Sequence, residues 1–336
     1  MMAIDIDLDT LETRLTAIEL GGLRRLSGGA SSLSYTGTAT VDGASRPVVV
    51  KVAPPGLKPV RNRDVLRQAL LLRRLAPTDV PVPTVLWEDR GDPPAVPPLF
   101  VMSFVPGTSV EPLFDTDDPA DPTEADDPAV LTDRVQDAVR ALATLHRLDP
   151  AELGLADEPR ISLVDEVRRW TRALGTVDEN LAPGWARIAR TLLGSVPAAM
   201  GAAIVHGDFR LGNLLATGPT VTAVIDWEIW SVGDPRVDLG WFLINADPAT
   251  YQRPSRYVGL LPAPADLAEA YAGHLDREVP ALPWFQALAC FKATATWSLI
   301  VKHARQGPTP NPLAEQIADV LPGLLARAAA LLDQPL

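Results

Sequence analysis

Asp208 and Asn213 stand five residues apart in Val205-His206-Gly207-Asp208-Phe209-Arg210-Leu211-Gly212-Asn213, and Asp226 follows thirteen residues after Asn213 in Val224-Ile225-Asp226-Trp227-Glu228. Each polar group comes at the end of a short apolar run, so a strand end can present it. A carboxylate and an amide on one loop, with a second carboxylate at a strand end, can divide two jobs: Asp208 meets a substrate hydroxyl, while Asn213 and Asp226 offer oxygen ligands to Mg²⁺. Hard oxygen donors suit magnesium better than zinc, and the sequence has neither a thiolate pair nor a His-x₃-His spacing. Lys51 ends the apolar run Pro47-Val48-Val49-Val50, where it is either a phosphate-binding lysine or a charge guarding an edge strand. Upstream, Leu26-Ser27-Gly28-Gly29-Ala30-Ser31-Ser32 is either a plain turn or a small-residue loop whose N–H groups approach phosphate oxygens.

Elements of two kinds must hold these groups. Leu8, Leu11, Leu15 and Ile18 predict a leading helix that Gly21-Gly22 ends. Val-, Thr- and Tyr-rich runs then predict an antiparallel meander around the Asp42-Gly43 hairpin signal. Val65, Leu66, Ala69, Leu70, Leu72 and Leu75 mark a helix, and TVLWED and PLFVMSFV two more strands. Residues 107–127 are rich in Pro and Asp and read as a linker. Beyond it helices are expected near 131–145, 161–174, 184–195, 264–276, 283–306 and 312–333, interrupted by the β-like runs AIV, NLLAT and TVTAVID that carry the polar residues. Asp234 and Asp238 read as capping and scaffold groups.

The chain has 336 residues, 47% of them hydrophobic, enough for a sizeable core of about two domain lengths. Its 42 acidic against 30 basic residues give a net charge of −12, the wrong sign for a generic nucleic-acid or anionic-membrane binder. Eight of those acids fall between Glu111 and Asp127. A single cysteine, Cys290, and a start without the basic and apolar regions of a signal peptide predict a cytoplasmic setting. The apolar stretch from Trp284 to Val301 is interrupted by Lys292, which argues against a membrane span.

The His-Gly-Asp loop with Asn five residues after the Asp, followed by Ile-Asp-Trp, resembles the signature of the aminoglycoside phosphotransferase and choline kinase superfamily, and the resemblance extends over nearly the whole chain. It implies an α+β, bilobal protein-kinase-like fold: a small antiparallel-sheet N-terminal lobe with one main helix over 1–105, a hinge and acidic Pro-rich loop over 106–128, and a larger, mainly helical C-terminal lobe over 129–336. It also implies an ATP-dependent O-phosphotransferase, with GTP left open as donor. Asp208 looks like the catalytic aspartate, with Arg210 and His206 beside it and His206 buttressing the loop. Asn213 and Asp226 look like the Mg²⁺ ligands. Gly28, Gly29, Ser31, Ser32 and Lys51 would face the nucleotide phosphates, and backbone groups at Ser103 and Val105 the adenine edge. In the family the lysine pairs with a helix glutamate; here Gln68 occupies that place, and Asp64, one turn earlier, is the alternative partner.

The implied acceptor is the hydroxyl of a small molecule. An acidic cleft would suit a cationic aminoglycoside, and the 111–127 stretch could supply one. The HGDFRLGN loop, Asp226-Trp227-Glu228 and the VPVP at 80–83 look most like the subgroup related to the kinase-like domain of acyl-CoA dehydrogenase fusions, which implies hydroxylated acceptors including hydroxyacyl-CoA. A nucleotide-binding pseudokinase and a magnesium-dependent phosphohydrolase are the alternatives. The sequence sets no oligomeric state.

Overall fold

In the computed structural model the described residues are 6–26, 32–112, 127–251, 256–307 and 311–334. They divide into two compact units, Met1–Gly107 with Thr222–Trp230, and Thr108–Val221 with Ser231–Leu336. Thr222–Trp230, which the sequence boundaries assign to the second lobe, belongs to the first unit.

The first unit begins with helix α1 (Leu8–Arg14), capped by the Asp7 carboxylate. The helix is shorter than its periodicity suggests, because the chain tightens into a 3₁₀ turn at Thr16–Ile18 and Glu19 enters the left-handed region at φ 47°. Strands β1 (Gly21–Arg25), β2 (Leu33–Val41) and β3 (Ala44–Val52) follow, then helix α2 (Val65–Leu75), β4 (Val85–Asp89) and β5 (Leu99–Ser103). The sheet order is β1-β2-β3-β5-β4. Asp42 and Gly43 both have positive φ, 51° and 74°, which gives the β2–β3 hairpin the twist-matched primed turn. Strand alternation then sorts the two faces. Val48, Val50 and Val52 of β3 join Leu99 and Val101 of β5, Tyr35 and Ala39 of β2, and Leu11 and Leu15 in one apolar core. Lys51 and its register partner Phe100 are therefore turned to the opposite face, toward α2.

The second unit contains α3 (Pro128–Arg147), β6 (Arg160–Ile161), α4 (Leu163–Leu174), α5 (Trp185–Gly194), β7 (Ala203–Val205) and β8 (Leu214–Thr217). Strand β9 (Thr220–Val224) carries the chain into the first unit, and the chain returns at β10 (Ser231–Gly233) before α6 (Arg236–Ala246), α7 (Pro264–Leu275), α8 (Leu282–Arg305) and α9 (Pro312–Leu332). β10 lies between β6 and β7 in a three-stranded sheet. The main core is assembled from α4, α5, α6, α8 and α9, around Val167, Leu192, Ile244, Phe285, Phe291 and Leu324.

Helix α6 is absent from the sequence expectations. Ten of its eleven residues are buried, so it lacks the one-sided apolar stripe that marks a surface helix. It also lies against α8 at backbone distance: a Cβ added at Gly240 would come within 2.6 Å of the Phe285 carbonyl oxygen. Because that neighbour is helix backbone and cannot rotate away, Gly240→Ala is expected to lower unfolding free energy by about 1–3 kcal/mol. Urea unfolding followed by circular dichroism measures this; an unchanged midpoint would show that α6 and α8 separate freely.

Candidate active site

Each unit positions one set of the residues singled out by the sequence. In the second, β7 ends at Val205 and delivers the His206–Asn213 loop. Its backbone is held by one carboxylate, that of Asp238 in the first turn of α6: Oδ2 accepts the His206 N–H at 2.6 Å and Oδ1 the Gly207 N–H at 2.8 Å. Asp238 is completely buried and its Oδ2 also lies 3.4 Å from His146 Nε2, while His146 Nδ1 is 2.7 Å from the Tyr271 hydroxyl. Burial alone would raise the Asp238 carboxyl, but the hydrogen bond and charge of His146, the charge of His206 and the Gly207 N–H outweigh it and hold the group below the ordinary carboxylate value. Asp238 therefore acts on the loop directly.

The loop closes on itself around Asp208. His206 is fully buried, and its Nδ1 accepts the Asp208 N–H at 3.1 Å. A 3₁₀ turn at Leu211–Asn213 brings the chain back, so that Asn213 Nδ2 donates to both the Asp208 carbonyl and Asp208 Oδ2 at 2.9 Å. Arg210 Nε reaches Oδ2 at 3.3 Å, and the other end of that guanidinium pairs with Glu111. Trp241 Nε1–H donates to Oδ1 at 2.8 Å. Both carboxylate oxygens are thus fixed. Burial raises the Asp208 carboxyl above its ordinary value, against the pull of the Lys292 and His206 charges and the Trp241 and Asn213 hydrogen bonds.

Trp241 and Lys292 are neighbours to which the sequence assigns no site role, and Glu111 reads there only as part of an acidic stretch. Glu111 is the first acid of the acidic stretch and here binds Arg210; at the other end Asp127 caps α3 by accepting the Ala129 N–H at 2.8 Å. Residues 113–126 lie outside the described residues, as do Gly28, Gly29 and Ser31 of the expected phosphate loop. Lys292, on α8, is 5% exposed; its Nζ donates to the Gly207 carbonyl and lies 3.7 Å from the centroid of the Trp241 ring. Burial pushes its ammonium down to about 8, although Asp208, Asp238 and Glu166 pull it upward. A lone lysine inside an otherwise apolar helix was the signal that could have found it, since such a charge must be partnered.

In the first unit Lys51 Nζ pairs with Asp226 Oδ1 at 2.9 Å and lies 3.4 Å from Gln68 Oε1. Gln68 rather than Asp64 is therefore the α2 side chain beside the lysine; Asp64 instead caps the helix, accepting the Arg67 N–H at 3.1 Å. Gln68 is 2% exposed, and among the described residues its Nε2 has no hydrogen-bond partner. With Phe100, Met102 and Trp227, these residues line a pocket on the α2 side of the sheet. Asp226 has φ 66° and ψ 54°, a left-handed conformation that costs a non-glycine residue about 1–3 kcal/mol and is commonest at functional positions. The surrounding segment is fastened at both ends: the Val224 N–H donates to the Pro81 carbonyl at 2.8 Å, and Arg67 donates to the Trp230 carbonyl while stacking 3.7 Å over its ring.

Ser32 is buried, and among the described residues its Oγ has no hydrogen-bond partner. At the expected hinge, the Ser103 N–H donates to the Thr84 carbonyl at 2.9 Å. Val105, whose N–H makes no hydrogen bond among the described residues, retains that capacity.

Asn213 spends its amide nitrogen on Asp208, which leaves its Oδ1 as the oxygen a cation can use, and in the first unit Asp226 presents a carboxylate. Each is a hard oxygen donor of the kind magnesium prefers. Among the described residues no group of three or more His, Cys, Asp or Glu could hold a metal, and no helix is long and apolar enough to cross a membrane.

Residues 22–271 match the model of the phosphotransferase enzyme family. Mouse acyl-CoA dehydrogenase family member 10 is 24% identical over 296 residues, covering 81% of this chain, which spans only about a quarter (26%) of that relative. A protein from Ralstonia eutropha JMP134 assigned to the aminoglycoside phosphotransferases has a solved structure with TM-score 0.76 and 22% identity, covering 98% of both chains. A thermostable mutant of aminoglycoside phosphotransferase APH(4)-Ia, in ternary complex with AMP-PNP and hygromycin B, gives TM-score 0.60 and 15% identity over 97% of each chain. The fold is the kinase-like fold of these proteins.

Because Asp238 titrates lower in the folded than in the unfolded chain, its stabilisation is complete above the unfolded carboxylate value of about 4 and is lost as pH falls through the lower folded value. Asp238→Asn, which strands a buried N–H or histidine, should cost about 3–5 kcal/mol at pH 7 and flatten the acid limb of the stability curve. Urea midpoints of both proteins between pH 7 and pH 3 check this; parallel curves would refute it.

Proposed function

The chain belongs to the phosphotransferase enzyme family, and from that premise we propose that it is an ATP-dependent O-phosphotransferase acting on the hydroxyl of a small molecule. The observation that carries the reading is Asp208, a half-buried carboxylate whose two oxygens are held by Trp241 on one side and by Asn213 and Arg210 on the other. Such fixing is what a base needs to meet a hydroxyl in one orientation. Oδ1 carries a single donor and keeps a lone pair for the acceptor's proton. As the acceptor oxygen bonds the γ-phosphorus and the β–γ bridging bond breaks, that proton passes to Asp208, and then to solvent after ADP forms. A carboxyl raised by burial suits proton uptake near neutral pH.

Lys51 is the cation for the phosphates, and in the chain alone it rests on Asp226. Asn213 Oδ1 and Asp226 would hold Mg²⁺, which when bound neutralises phosphate charge in ground and transition states alike. The family's glutamate partner is replaced by neutral Gln68, so Asp226 is the carboxylate that balances Lys51. The neighbour bound to AMP-PNP supports ATP as donor.

For the acceptor, the likeness to APH(4)-Ia bound to hygromycin B supports an aminoglycoside-like polyol. The likeness to acyl-CoA dehydrogenase family member 10 over 81% of the chain favours a second reading, a hydroxyacyl-CoA. ADP formation with Mg²⁺ across a library of aminoglycosides, other hydroxylated metabolites and hydroxyacyl-CoA thioesters decides between them. Absence of turnover with every acceptor, alongside normal ATP binding, would mean a pseudokinase.

Asp208→Asn is expected to lower kcat roughly 10²–10⁴-fold with little change in ATP affinity. Near-normal rates would remove Asp208 from catalysis. Asn213→Ala and Asp226→Ala should instead reduce both the rate and the Mg²⁺-dependent part of ATP affinity. ATP titrations with and without Mg²⁺ read the difference, and an unchanged magnesium dependence in either variant would exclude that residue as a ligand.

A further inference from the structure

Lys292 is an expensive residue for its place. It is 5% exposed, and its neighbours along α8, Ala289, Cys290, Phe291, Ala293 and Ala295, all belong to the apolar core. A methionine would fill similar space without the desolvation of an ammonium, and replacing a buried charge by an apolar group of like volume is often neutral or stabilising. Packing alone therefore does not account for a lysine here. Nor does an ion pair: among the described residues no carboxylate lies within salt-bridge distance of its Nζ.

Its two nearest polar contacts lead toward Asp208. Nζ donates to the carbonyl of Gly207, the peptide that joins Gly207 to Asp208. It also sits 3.7 Å from the centroid of the Trp241 ring, with the Trp170 ring further off at 5.7 Å. A cation on an indole face is attracted by the ring quadrupole and draws electron density from it, which makes the indole N–H a stronger donor. That N–H is the one bonded to Asp208 Oδ1 at 2.8 Å. One ammonium thus acts on the backbone before Asp208 and, through the indole, on its carboxylate.

We propose that Lys292 is a positioning residue for the catalytic loop, orienting Asp208 through the Gly207 carbonyl and the Trp241 indole. The inference rests on the reading of Asp208 as the group that meets the acceptor hydroxyl. The burial-lowered value of about 8 still leaves the ammonium mostly charged at neutral pH, as this role needs.

The test uses the full chain labelled with ¹⁵N-tryptophan, with the Trp241 indole signal assigned through Trp241→Phe. Lys292→Met should shift that signal and speed its solvent exchange roughly tenfold or more, while Tm stays level or rises because a buried charge is gone. Mg²⁺-ATP turnover, read as ADP formation with water as acceptor, should lose roughly 10–100-fold in kcat with KM for ATP held within about twofold. Lys292→Arg, which restores a cation over the ring, should recover part of both effects. An unmoved indole signal in Lys292→Met overturns the proposal, and so does a loss in kcat that tracks Tm and is not recovered by arginine. If Lys292→Met fails to fold, Lys292→Gln, which removes the cation but keeps a hydrogen-bond donor, decides: a Trp241 signal unmoved from wild type overturns it. Asp208→Asn is run beside these. If it keeps turnover, the reading of Asp208 fails, whereas a dead Asp208→Asn with a fully active Lys292→Met fails the role of Lys292 alone.

Discussion

A single buried carboxylate, that of Asp238, sets the geometry of the second unit. Two successive backbone N–H groups, of His206 and Gly207, find their acceptors on its two oxygens. Neither N–H is accessible to water there, so without the carboxylate both would be left unsatisfied at a cost of about 1–3 kcal/mol each. The loop can take its turn only where Asp238 stands, and Asp238 can stand there only because α6 is sunk into the core with Gly240 against the backbone of α8. Burial of a charge, costly in itself, is offset by His146 and by the loop amides it holds.

The same accounting runs outward from the loop. Asp208 is a second carboxylate, partly removed from water, and it is satisfied oxygen by oxygen by Trp241, Asn213 and Arg210. Arg210 is balanced in turn by Glu111, so the one acid of the acidic stretch described next to the loop serves an ion pair. In the first unit the logic is repeated with fewer parts: Lys51 is neutralised by Asp226, and the neutral amide of Gln68 completes its surroundings. A carboxylate at Gln68 would compete with Asp226 for Lys51, so this departure from the family pattern shifts weight onto the residue that also serves as metal ligand in the proposed reaction.

Membership of the phosphotransferase family accounts for the fold and for the kind of chemistry, and it leaves the acceptor to details that folds do not carry. Relatives and structural neighbours that share this architecture bear names as different as an acyl-CoA dehydrogenase family member and an aminoglycoside phosphotransferase. What they can share is the part that handles a phosphoryl group, because a loose phosphoryl transition state asks mainly for charge and position.

The sequence by itself determined the parts whose signals are local. Asp42-Gly43 encodes its turn, Lys51 stands out as a charge ending the apolar run Pro47-Val48-Val49-Val50, and the spacing of Asp208, Asn213 and Asp226 marks the chemistry. Tertiary structure decided what local pattern cannot encode. Helix α6 is buried all round and has no one-sided stripe to read; Thr222–Trp230 joins the first unit through Pro81 and Arg67, both more than 130 residues away. Asp238 read as a scaffold group because its partners lie 31 and 32 residues upstream, and Lys292 read as an interruption because its partner lies 85 residues away. Sequence periodicity reports which face of an element meets the core. Which buried charge meets which distant backbone group is fixed only when the elements pack, because only then does water leave and force each polar atom to find a partner.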